Sequence, residues 1–258
     1  MNSFQAPRRV AVVGRFADSL FTALEESGFK LVQERPDMVV SFGGDGTILY
    51  SEKLFPGFPK LCVRASKACV KCSISRLEKF EAHVHERSFY CMNCVENALE
   101  RVAAGKARVK EEPKLLGKAF FKRKGDWKVH SALGLNEVQV HNKKPTHALR
   151  CRVSVGTRVV APIFMGDGVL VSTPFGATGY FNAVTRHLFS TGFGIAFNNG
   201  IRPKAPVFLD NLRQKVRIDV LRRHGWFVAD NFAETLTLLE GDYVTVEKAD
   251  EPARFVVV

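Results

Sequence analysis

The sequence predicts an α/β N-terminal domain, a parallel sheet with flanking helices, followed by a β-rich, sandwich-like C-terminal domain. Three observations predict it. Over the first hundred residues, short strand-like apolar runs alternate with residues at helical spacing. After about residue 110 the apolar pattern shortens to period two and turn signals recur. The 258 residues are 46% hydrophobic and 25% charged, with 20 Gly and 11 Pro. That composition excludes collagen-like, low-complexity and disordered chains.

The elements follow in order. Residues 9–14 read as a short buried strand, and Ala17, Leu20, Phe21 and Leu24 follow at helical spacing before Gly28, a helix stop. A β-branched run at 38–42 lies between Pro36-Asp37 and Gly43-Gly44, and residues 47–54 open a helix. The pattern then changes. Residues 119–124 and 127–133 flank Gly125-Asp126, a hairpin signal. Residues 148–155 alternate Leu149, Cys151, Val153 and Val155 with Arg150, Arg152 and Ser154, then turn at Gly156-Thr157. Short strands continue at 207–221, 226–228, 236–239 and 243–246. The expected division is residues 1–108 and 109–258, without internal repeats.

The formal charge is +12, which points to anionic partners: nucleotides, polyphosphate, nucleic acid or an acidic membrane face. Its placement says more. Residues 106–158 hold 14 Lys and Arg against four acids, Glu111, Glu112, Asp126 and Glu137, a local excess of +10. No stretch approaches ~18 uninterrupted apolar residues, and no apolar signal core precedes the first strand, so a cytoplasmic protein is expected.

The sharpest local motif is Phe42-Gly43-Gly44-Asp45-Gly46-Thr47, between a buried strand and a helix. Its glycines admit a ligand close to the backbone, and the helix start presents amides and a positive dipole end to phosphate. A carboxylate there repels passive anions. Asp45 suits accepting a hydroxyl proton or helping to hold a metal ion beside phosphates. On the residues alone, a glycine-rich turn with a helix-capping Asp fits equally well. A second motif is Leu133-Gly134-Leu135-Asn136-Glu137-Val138, whose amide and carboxylate suit a purine edge or a ribose but also occur in ordinary turns. A third runs from Gly166-Asp167-Gly168 through 169–172 to Thr173-Pro174-Phe175-Gly176-Ala177-Thr178-Gly179-Tyr180, loops of ligand-facing composition.

In this order the three motifs resemble the NAD kinase family, from about residue 8 to about residue 256. The Gly-Gly-Asp-Gly-Thr loop alone is shared with other kinases of lipids and sugars; the Asn-Glu pair and the Thr-Pro loop narrow the likeness. The resemblance implies phosphorylation of the 2′-hydroxyl of the adenosine ribose of NAD, using ATP or polyphosphate with Mg²⁺. It implies Asp45 as the catalytic carboxylate and Gly43, Gly44, Gly46 and Thr47 as the donor phosphate loop. Asn136 and Glu137 match the dinucleotide-binding pair, Asp167 an acid near the nicotinamide end, and Thr178, Gly179 and Tyr180 the adenine loop. A homodimer or homotetramer is implied too. The chain departs from the family at Phe175 and Ala177, where hydroxyls are usual, in residues 181–187, and at Asp230-Asn231-Phe232, where Asp-Gly-Gln is usual. A Gly-x-Asn-x-Gly loop after the first helix is absent from the sequence.

In place of that loop stand Cys69-Val70-Lys71-Cys72 and, eighteen residues on, Cys91-Met92-Asn93-Cys94. This is structural zinc spacing, two thiolates per knuckle and two knuckles per tetrahedron. Cys62, His83 and His85 are substitute ligands. Buried core thiols or a redox pair are the other uses of such cysteines. Three functions therefore stand: a NAD kinase, an inactive nucleotide-binding relative, and, less well supported, a zinc-containing nucleic-acid binder, which leaves Asp45 and Asn136-Glu137 without a role.

Overall fold

The structure, a computed structural model, describes residues 6–15, 17–64, 92–211, 213–232 and 234–258. The chain divides into two compact units, one of residues 1–112 with 252–258, the other of residues 113–251. The division falls four residues later than the sequence indicates. More consequentially, the last seven residues belong to the first unit, not to the β-rich second one. They supply a strand that the N-terminal sheet lacks, a pairing across the whole chain that no local pattern announces.

In the first unit, β1 (Arg9–Val13), β2 (Lys30–Leu31), β3 (Met38–Gly43), β4 (Pro59–Arg64), β5 (Arg108–Glu112) and β18 (Ala253–Val257) form one sheet in the order β2-β1-β3-β4-β18-β5. The first four pairings are parallel; β18 with β5 is antiparallel. The parallel sheet expected from the sequence is therefore a mixed sheet, with β5 as its antiparallel edge strand.

Helices cover both faces. A 3₁₀ turn (Ala17–Leu20), α1 (Phe21–Glu26) and α3 (Met92–Ala103) bring Leu20, Leu24, Val95, Leu99 and Val102 against Val10, Met38, Val40, Leu61, Val63 and Val256. On the other face Ala11, Val13 and Val39 meet Phe55 and Phe58 beyond α2 (Asp45–Leu54). Strands buried on both faces read as continuous apolar runs, as β3 does. α2 is tied down by a buried ion pair, Lys60 with Glu52, whose ammonium also donates to the Phe55 and Phe58 carbonyls at 2.8 Å.

The second unit is two six-stranded sheets. One has the order β10-β9-β14-β17-β6-β7, from β6 (Leu115–Arg123), β7 (Asp126–Gly134), β9 (Leu149–Val155), β10 (Arg158–Gly166), β14 (Val216–Arg222) and β17 (Tyr243–Lys248). The other has the order β13-β12-β11-β8-β15-β16, from β8 (Glu137–Asn142), β11 (Gly168–Ser172), β12 (Phe193–Asn198), β13 (Val207–Leu209), β15 (Gly225–Ala229) and β16 (Leu236–Leu238). Alternate residues of both sheets share one core, including Ala119, Val140, Val153, Val171, Ile195, Ile218 and Val244. The run expected at 207–221 is two strands, β13 and β14, in different sheets. Cys151 lies in this core, and burial pushes its thiol up to about 12. Cys62 is equally buried in β4. Among the described residues no helix is long and apolar enough to cross a membrane.

Candidate functional site

In the first unit, β3 runs into Gly43 and α2 starts at Asp45, with Gly44 extended at its N-cap. Thr47 N–H returns to the Gly44 carbonyl at 2.9 Å, which closes the first helical turn. A side chain on Gly43 would come within 2.2 Å of Thr47 Oγ1, so the threonine side chain folds back over the Gly43 backbone only because position 43 carries no Cβ. Asp45 and Thr47 are half-buried and Gly46 is exposed. Beyond that bond, the positive end of the helix dipole lies at this turn. Amide dipoles and one carboxylate thus share the helix start, the combination for binding a phosphate chain and accepting a proton nearby.

In the second unit, the Asn136-Glu137 and Thr173–Tyr180 segments are laced into one structure. Thr173 N–H donates to the Asn136 carbonyl at 2.9 Å, and its hydroxyl donates to the Leu135 carbonyl at 2.6 Å. The Gly176 N–H donates back to Thr173 Oγ1 at 3.0 Å. A Cβ at Gly176 would lie 2.2 Å from the Asn136 carbonyl oxygen, so glycine is required for this approach. Glu137 opens β8 directly opposite Ser172. Both Asn136 and Glu137 are buried.

What holds the Asn-Glu pair is Asp230, which the sequence shows only as the retained part of an altered motif. Its carboxylate accepts the N–H groups of Leu135, Asn136 and Glu137 at 2.9, 2.7 and 3.1 Å. Its own N–H donates to the Glu137 carbonyl at 2.9 Å, and its backbone sits in the left-handed region at φ 51°. Asp is one of the few residues that tolerates that conformation, which is the local signal that marks the position.

A second cluster gathers at the far end of β8. The Asp167 carboxylate accepts from Asn142 Nδ2 at 3.0 Å and Asn199 Nδ2 at 2.9 Å. The Tyr180 hydroxyl accepts from Asn198 Nδ2 at 2.6 Å and lies 3.5 Å from His141 Nε2. Burial raises the Tyr180 phenol above its ordinary value; the Asn198 amide opposes this, and the Asp167 and Glu137 charges add to it. The hydroxyl therefore stays protonated and can donate. Tyr180 opens α4 (Tyr180–Thr185), and a 3₁₀ turn (Gly176–Thr178) places Thr178 and Gly179 just before it. Tyr180 joins the two clusters: the Asp167 and Glu137 charges both act on its phenol, and a Cβ at the preceding Gly179 would lie 3.8 Å from Asn136 Nδ2.

Residues 135–258, which start at this pinned loop, match the ATP-NAD kinase C-terminal domain. Over this stretch the chain is similar to the NAD kinase family. It is 25% identical over 224 residues to the bifunctional NADP phosphatase/NAD kinase of Methanococcus maripaludis, covering 84% of this chain and 36% of that protein. It is 29% identical over 182 residues to the NAD kinase of Sulfurisphaera tokodaii, covering 69% and 62%. The matches thus span from about a third to under two thirds of these curated relatives. In fold the chain is similar to yeast NADH kinase complexed with NADH, with a TM-score of 0.79 over 98% of this chain and 84% of the other at 14% identity. It is also similar to an NAD kinase from Archaeoglobus fulgidus in complex with ATP, with a TM-score of 0.70 over 96% and 92% at 20% identity.

The family's departures acquire a physical reading here. Ala177 is buried at 1% exposure, so the hydroxyl usual in NAD kinases would stand inside the protein at this position. The cysteine pairs cannot be placed: Cys69, Cys72 and Cys91 lie outside the described residues, as do His83, His85 and the Cys94 side chain. Among the described residues, no group of three or more His, Cys, Asp or Glu is arranged to hold a metal ion. Part of the basic stretch at 106–158 is paired within the sheets, Lys118 with Glu247, Arg123 with Asp242 and Lys110 with Glu112.

Proposed function

We propose that this chain transfers a phosphoryl group from ATP or polyphosphate to the 2′-hydroxyl of the adenosine ribose of NAD, giving NADP. The observation that carries this reading is the Asn136-Glu137 pair, clamped by Asp230 on one side and Thr173 on the other. Fixed, buried donors and acceptors of this kind recognise a ribose and base without reorganising. The match of residues 135–258 to the ATP-NAD kinase C-terminal domain and the names of the relatives support the same reading.

The roles follow the chemistry at each position. Asp45 accepts the proton of the 2′-hydroxyl as its oxygen forms a bond to the terminal phosphorus and the bond to the departing ADP, or to the shortened polyphosphate, breaks. Gly43, Gly44, Gly46 and Thr47 cradle the donor phosphates at the α2 start. Asn136 and Glu137 hold the nucleoside; Thr178, Gly179 and Tyr180 border the adenine, and Asp167 lies toward the nicotinamide. The donor set at the glycine-rich loop fits Mg²⁺, which keeps several waters and takes one or two carboxylates beside substrate phosphates; Asp45 is the carboxylate that would hold it. When bound, the ion neutralises charge on the transferring phosphates.

The test is NADP formation from NAD with Mg²⁺, run with ATP and with polyphosphate in parallel. The wild-type chain is expected to turn over. Asp45→Asn is expected to lose about 10²- to 10⁴-fold in kcat, with NAD binding by calorimetry retained. NAD binding without turnover by the wild type would instead establish a nucleotide-binding relative that has lost activity. Salt-dependent retention on DNA with no NAD affinity would return the nucleic-acid reading. Zinc at Cys69, Cys72, Cys91 and Cys94 rests on spacing alone, and elemental analysis under reducing conditions decides it. Oligomeric state, homodimer or homotetramer, and a cytoplasmic location are part of the same reading.

A further inference from the structure

Two turns of the second unit converge on a pocket of about 220 Å³ lined by Lys143, Lys144, His147, Arg223 and His224. One turn joins β8 to β9, the other joins β14 to β15. Strand register brings them side by side, since Gly225 stands opposite Asn142. The Lys143 N–H then donates to the His224 carbonyl at 3.0 Å, which links the two turns into one rim. His147 N–H donates to the Lys144 carbonyl at 2.9 Å, and Asn142 Nδ2 donates to the His147 carbonyl at 3.2 Å. The first turn is thus fixed from within the sheet.

The lining is three permanent cations and two imidazoles, with no carboxylate. Among the described residues, none of the five forms an ion pair, in contrast to Lys110, Lys118 and Arg123 of the same basic stretch. Lys143 Nζ reaches the Thr237 hydroxyl at 3.3 Å, a neutral partner. The positive field extends one step along the strands. Arg150 and Arg222 face each other directly across β9 and β14, and Arg150 Nε is buried without a hydrogen-bond partner. Like charges placed opposite on paired strands repel. Asp167, in contact with Asn142 below the rim, is held by the Asn142 and Asn199 amides and not by any of these cations.

We propose that this pocket is an anion site that takes a phosphate chain. It lies within the second unit, at the opposite end of β8 from the Asn136-Glu137 pair. Several cations converging on one small volume outnumber the charge of a single carboxylate, and a guanidinium beside two ammonium groups matches consecutive phosphates. The volume falls below the ~300–1,000 Å³ of ordinary small-molecule sites, and none of the five lining residues is a hydrophobic one. The shared chemistry is a di- or triphosphate, whether inorganic or the phosphate end of a nucleotide.

The test uses the full chain and an amine-reactive label, read by mass spectrometry on the peptide containing Lys143 and Lys144. Inorganic triphosphate and ATP are compared at constant ionic strength, with exposed Lys30 and Lys106 as internal references. At least fivefold slower labelling of Lys143 and Lys144, with less than twofold change at the references, is expected. Arg223→Ala is expected to lose most of the protection, and Arg223→Lys to keep it, which separates loss of charge from loss of fold. Protection by triphosphate alone identifies an inorganic chain; protection by both identifies the phosphate group whatever its carrier. Equal slowing at all lysines, or protection unchanged in Arg223→Ala, overturns the site. Neither result depends on whether the chain phosphorylates NAD.

Discussion

At Asp230, one carboxylate takes the N–H groups of three consecutive residues, Leu135, Asn136 and Glu137, at 2.7–3.1 Å. These are charge-assisted bonds in a buried position, and removing the acceptor leaves three donors without their partner. Asp230→Ala is expected to cost about 3 kcal/mol or more of stability, measured by urea denaturation. Asp230→Asn keeps one acceptor oxygen and is expected to cost less. Because the carboxylate positions Asn136 and Glu137, KM for NAD should rise more than kcat falls in the Asn variant. A variant with wild-type stability and KM would remove Asp230 from this role. Gly176 works by absence in the same place, since any side chain there meets the Asn136 carbonyl.

Between elements, the parallel pairing of β1 and β3 is reinforced at its edge by Asp37. Its carboxylate accepts the backbone N–H groups of Arg8 and Arg9 at 3.0 and 2.8 Å and the Arg9 guanidinium at 2.8 Å. The Arg9 side chain, more than any other cause, lowers the Asp37 carboxyl to about 2. A carboxyl held below its unfolded value stabilises the fold above that value, near 4, and ceases to do so as pH falls toward 2. Arg9 is exposed, so the effect is small at physiological salt. Asp37→Asn is expected to lower the denaturation midpoint at pH 7, with the difference from wild type closing by pH 2. A difference that persists unchanged at pH 2 would assign it to packing instead of charge.

Across the whole molecule, the decisive long-range pairing is β18, which leaves the second unit and inserts between β4 and β5. It contributes Val256 to the first unit's core and five register pairs to β5. Deletion of 252–258 is therefore expected to expose two strand edges of the first unit and to leave the second unit's own sheets paired. Hydrogen exchange should show lost protection in β4 and β5 while β8, β11 and β15 keep theirs. Uniform loss across both units would mean that they do not fold as separate cores.

The local chemistry of this protein was legible in its sequence. The 43–47 glycines, the 119–133 hairpin and the alternation in 149–155 reflect backbone limits and periodicities that act over a few residues. The same is true of the α/β-then-β order. β4 and β12 carried no comparable turn or period signal, whereas Val95, Ala98, Leu99 and Val102 of α3 do recur at helical spacing, and the basic stretch around Asn136 showed only an excess of charge because charge in a sequence has no partners. Only the tertiary structure assigned those partners, giving Glu247 to Lys118 and Asp242 to Arg123 while leaving Lys143 and Lys144 facing Arg223. It also brought Asp230 to a loop 93 to 95 residues earlier and returned the last strand to the first sheet. Such contacts are set by which surfaces can be buried together, and that depends on the whole chain at once.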